Sequence, residues 1–66
     1  RLTPRQQEII KRLADGQSSK EIAYSMSVSV KTVDALRRKI LKKLNIESLA
    51  QLVKYAVREG ISSLDN

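Results

Sequence analysis

Between Ser18 and Leu44 the chain is spaced for two helices that cross steeply through a tight turn. Ala23 is small where the second helix must pass over the first. Ile22, Met26, Val28, Val33 and Leu36 are apolar just before it, one turn later, just after the turn and along the inner face of the second helix. So close a crossing needs a small residue at its centre and apolar neighbours at those places, which is what a helix-turn-helix unit requires. The turn position four residues after Ala23 favours positive φ and therefore glycine. Ser27 stands there instead, and a side chain in that conformation costs on the order of 1 kcal/mol.

The flanking sequence is punctuated for two further helices. Thr3, Pro4 and Gln6 read as an N-cap, a first helical residue and the closing partner of a capping box. Ile9, Ile10, Leu13 and Ala14 then form an apolar stripe, and Gly16 suits a left-handed stop after a helix ending near Asp15. Ser18 with Glu21 is a second capping box, opening a helix of about two turns. Ser29 caps a third helix from near Val30 to about Leu44, with Asn45 as its left-handed stop and Ile46 folding back onto it. Ser48 with Gln51 opens a fourth, where Leu49, Leu52, Val53, Ala56 and Val57 predict the buried face. Gly60 ends it. Ile61 and Leu64 are the tail residues with reason to pack, so we expect an all-α domain of four helices over residues 1–61 and a C-terminal tail over 62–66.

A chain of 66 residues buries only about 60% of its unfolded surface. With no Trp or Phe, its thin core must be built from Ile, Leu, Val, Ala and Met26. The absence of Cys and His removes disulfides, thiolate nucleophiles, the usual zinc ligands and the commonest general base. Glu8, Asp15, Glu21, Asp34, Glu47, Glu59 and Asp65 are scattered and suit caps and surface, so neither enzyme chemistry nor a metal or cofactor is expected. No apolar run approaches a membrane span and no signal-peptide pattern opens the chain, which points to a cytoplasmic protein. The first residue is Arg1 rather than Met, so a regulatory domain is expected upstream in a longer protein.

The net charge of +6 implies a polyanionic partner. Its excess lies on the third helix, where Lys31, Arg37, Arg38, Lys39, Lys42 and Lys43 stand against the single acid Asp34. On a helical wheel Val33, Leu36, Ile40 and Leu44 face the core, and Lys31, Asp34, Ala35, Arg38 and Lys42 fall on the opposite half. A helix of about 14 residues is about 21 Å long and fits a major groove about 12 Å wide. In that placement Lys31 and Arg38 donate to guanine and Ala35 meets a thymine methyl, unless these residues are merely a solvated helix face. Asp34 has two readings: it accepts from a cytosine amino group, or phosphates repel it. Lys20, Thr32, Arg37 with its snorkelling stem, and Lys42 are the phosphate candidates. Ser18 and Ser29 are read as caps.

Leu2-Thr3-Pro4-Arg5 with Glu8-Ile9-Ile10, Gly16-x-Ser18-x-Lys20-Glu21-Ile22-Ala23, Ser29-Val30-Lys31-Thr32-Val33 and Leu41-Lys42-Lys43-Leu44 resemble the LuxR-type (GerE/NarL/FixJ-like) helix-turn-helix domain over about residues 2–60. The resemblance implies a bacterial transcription factor, commonly the output domain of a two-component response regulator or a quorum-sensing regulator. It implies a third helix in the major groove of double-stranded DNA and a fourth often used for dimer contact. By that likeness Lys31, Asp34, Ala35 and Arg38 match base-facing positions. Two residues depart from the pattern: Leu36 stands where His or Tyr is common, and Asp34 where Lys or Arg is frequent.

On the fourth helix Gln51, Tyr55 and Arg58 face away from the core of the wheel. With Tyr55 as an exposed aromatic, they are the candidate homodimer surface, against an ordinary monomer surface. The competing functions are a sigma-factor-like promoter-reading domain and an interaction module whose basic helix docks on an acidic partner or an anionic membrane.

Overall fold

The computed structural model describes residues 2–61 and contains four helices: α1 (Pro4–Ala14), α2 (Ser19–Met26), α3 (Val30–Lys43) and α4 (Leu49–Arg58). Among the described residues there is no strand. Leu64 and the expected tail over 62–66 lie outside them.

Each helix starts on a hydroxyl. Thr3, Ser18, Ser29 and Ser48 accept from the backbone N–H of Gln6, Glu21, Thr32 and Gln51, satisfying a donor that the helix leaves orphaned, an effect of about 0.5–2 kcal/mol per cap. Gln6 and Glu21 return the bond to the cap backbone at 2.9 and 2.8 Å. Gln51 does not close its expected box: its Oε1 accepts from the N–H of Glu47, one residue further back. The backbone at Ser48 is more extended, with φ −146° against −74° to −79° at the other three caps.

Each helix also stops in the same way. Gly16, Ser27, Asn45 and Gly60 have φ of 90°, 57°, 57° and 69°. After each, the next N–H returns to the carbonyl five residues earlier: Gln17 to Arg12, Val28 to Ala23, Ile46 to Leu41 and Ile61 to Ala56, at 2.8–3.0 Å. These are Schellman motifs, which satisfy carbonyls that the last turn would otherwise leave unpaired.

The core consists of Ile9, Ile10, Leu13, Ala14, Ile22, Ala23, Val33, Ile40, Leu52 and Ala56, with Met26, Val28, Leu36, Leu44 and Ile46 half-buried around it. Ala23 is buried, and α2 packs on α3. The expected face of α4 is corrected on one side. Leu52 and Ala56 are buried, but Leu49 is 63% and Val57 40% exposed. Packing of α4 on α1 turns its buried arc toward Tyr55, which sits half-buried beside Leu2, Pro4 and Ile61. Tyr55 is therefore not the exposed aromatic expected from the wheel; that residue is Tyr24 on α2, 89% exposed.

Candidate nucleic-acid interface

Burial of Val33 and Ile40, with Leu36 and Leu44 half-buried, fixes the rotation of α3 about its own axis. What remains outside is a stripe of Lys31, Ala35, Arg38 and Lys42, all exposed. Their spacings of four, three and four residues keep them on one side of the helix. None of its three cations forms an ion pair among the described residues. Ala35 at the centre leaves the stripe low enough for a flat surface to approach. Leu36 turns inward onto the core.

Asp34 departs from the expected display. It is half-buried, and its Oδ1 accepts a 2.7 Å hydrogen bond from the Ser19 hydroxyl, fifteen residues earlier at the first position of α2. The carboxylate thus faces the positive end of α2, a favourable position for an anion. The bond also ties the first turn of α2, which carries exposed Lys20, to α3. Sequence reasoning missed Ser19; the only signal was a second serine directly after the Ser18 cap.

The remaining candidates are distributed around this stripe. Thr32 is exposed, and its Oγ1 accepts from the Ser29 hydroxyl at 2.9 Å, leaving its own proton to donate. Arg37 lies apart from the stripe, exposed at the edge of an apolar groove where α1, α3 and the start of α4 meet, with Leu13, Leu41, Ile46 and Leu49. Gln51 and Arg58 are exposed on α4 as expected, whereas Tyr55 is tucked toward α1.

Two helices joined through a left-handed turn, with a third-helix stripe of exposed cations turned outward, define a helix-turn-helix DNA-binding module. The chain belongs to the LuxR family of bacterial regulatory proteins, whose GerE model matches residues 1–56. It is 43% identical over 63 residues to the uncharacterized response regulatory protein YgeK of Escherichia coli K12, covering 96% of this chain and 43% of that protein. It is 45% identical over 60 residues to the oxygen regulatory protein NreC of Staphylococcus carnosus, covering 91% and 28%. Identity to the transcriptional regulatory protein MctR of Rhizobium johnstonii is 39% over 62 residues, covering 94% and 29%. The chain thus spans less than half the length of these relatives. Membership makes it a DNA-binding module of transcription regulation and not an enzyme. No helix among the described residues is long and apolar enough to cross a membrane.

Proposed function

We propose that this chain is the output domain of a cytoplasmic bacterial response regulator, spanning residues 1–61, and that it reads double-stranded DNA by laying α3 in the major groove. The observation that carries this reading is the exposed stripe of Lys31, Ala35, Arg38 and Lys42, without an ion pair among the described residues, on a helix whose opposite face is locked into the core. Lys31, Asp34, Ala35 and Arg38 are assigned to base edges. Lys20, Thr32, Arg37 and Lys42 are assigned to phosphates, which set register without carrying sequence information. The greater length of the relatives supports an upstream receiver domain that controls the output domain.

The functional form is a homodimer on paired half-sites, joined through α4. Gln51 and Arg58 offer polar contacts there, and Tyr55 contributes only its open edge. Leu49 and Val57, together with half-buried Val53 between them, supply the apolar strip that a helix pair needs.

Selection of bound duplexes from a random pool tests the whole reading. A pair of related half-sites is the expected result. Recovery of duplexes with no shared motif would leave only a basic helix that binds any polyanion.

A further inference from the structure

Asp34 is the one acid on a helix otherwise turned toward a polyanion, and no phosphate or purine N7 can favour it there. The donors that a duplex presents in the major groove are the amino groups of cytosine and adenine. Beside the adenine amino group lies N7, an acceptor that repels a carboxylate; the cytosine amino group is flanked on its own ring by a C–H. A carboxylate on this helix therefore suits cytosine, provided that it is held still.

Ser19 supplies that restraint. The terminal torsion of an aspartate is broad and leaves the two oxygens free to swing. Here the Ser19 hydroxyl donates to Oδ1 at 2.7 Å, the short distance typical of a charge-assisted bond. Oδ2 accepts no hydrogen bond among the described residues. Lys20, next in sequence to Ser19, is a phosphate candidate, so one short bond ties a backbone anchor on α2 to a reading atom on α3.

Resting on the DNA reading proposed above, we infer that Ser19 is a positioning residue for base recognition: its hydroxyl fixes the Asp34 carboxylate so that Oδ2 accepts from a cytosine amino group in the major groove.

The test measures binding of the chain to its selected duplex and to every single base-pair replacement of it, for wild type, Ser19→Ala, Ser19→Thr and Asp34→Asn. At one C·G pair, replacing cytosine by thymine should weaken wild type by about 5- to 150-fold, the range of a good base contact. Ser19→Ala should flatten that one discrimination while affinity for random duplex stays unchanged, and Ser19→Thr, which keeps the hydroxyl, should retain it. Asp34→Asn should move the preference at the same pair toward adenine, whose N7 and amino group an amide can bind together. Unchanged discrimination at every position in Ser19→Ala, or the wild-type motif recovered with Asp34→Asn, would overturn the inference and leave the DNA reading standing. Should Ser19→Ala unfold, Asp34→Asn decides, because its amide oxygen still accepts from Ser19. A wild type that prefers no duplex overturns the DNA reading itself, and this inference with it.

Discussion

The backbone N–H of Val28 donates to the carbonyl of Ala23 at 3.0 Å, around Ser27 at φ 57° and ψ 45°. This bond ends α2 and reverses the chain, and Ala23 is itself a buried core residue. One residue thus helps to terminate the first helix of the unit and takes a place in the core.

Ser27 keeps a side chain in the left-handed region, where glycine carries no steric penalty. Ser27→Gly should stabilise the domain by about 1 kcal/mol and raise Tm by about 4–8 °C in a domain of this size. Thermal unfolding followed by circular dichroism checks it; a lower Tm would show that the turn does not strain the serine.

At Ala23 the expectation reverses. With only 4% of its surface exposed, added methylenes have no space to enter. Ala23→Leu should cost about 1–3 kcal/mol by overpacking. A denaturant midpoint equal to that of wild type would contradict a close crossing at this residue.

Much of this fold is legible in the sequence because its helix ends are local. A hydroxyl three residues before a free N–H, or a Gly or Asn at a left-handed stop, acts through bonds spanning a few residues. So the capping hydroxyls of all four helices, the turn at Ser27 and the outward stripe on α3 can be read directly. Tertiary choices are less legible. Leu49 and Val57 fit an apolar wheel, yet α1 draws the other flank of α4 inward, so Tyr55 is covered and they are not. The Ser19–Asp34 bond joins residues fifteen apart, and no periodicity marks it.

The exposed strip on α4 carries a prediction of its own. Since Leu49 is 63% exposed, Leu49→Arg should leave monomer Tm within a few degrees, in keeping with surface substitutions of about ±0.5 kcal/mol. It should nevertheless abolish the dimer in sedimentation velocity and weaken binding to paired half-sites. A dimer that survives Leu49→Arg but is lost in Gln51→Ala/Arg58→Ala would move the contact to the polar edge of α4.

Salt dependence bears on the phosphate assignments. Affinity should fall with salt at a log-log slope of about −0.9 per phosphate neutralised, and Lys20→Ala should reduce that slope by about 1 without changing base preference. A slope unaffected by Lys20→Ala would remove that residue from the phosphate contacts.

The central claim, that one face of α3 divides into base-reading and phosphate-holding parts, is tested most directly by a paired measurement. Equilibrium binding of Arg38→Ala and Lys42→Ala would be compared on the selected duplex and on random duplex at one salt concentration. Arg38→Ala should lose about 1–3 kcal/mol on the selected duplex and little on random DNA, relaxing preference at one position, whereas Lys42→Ala should weaken both alike. Identical behaviour of the two variants on both duplexes would contradict the account.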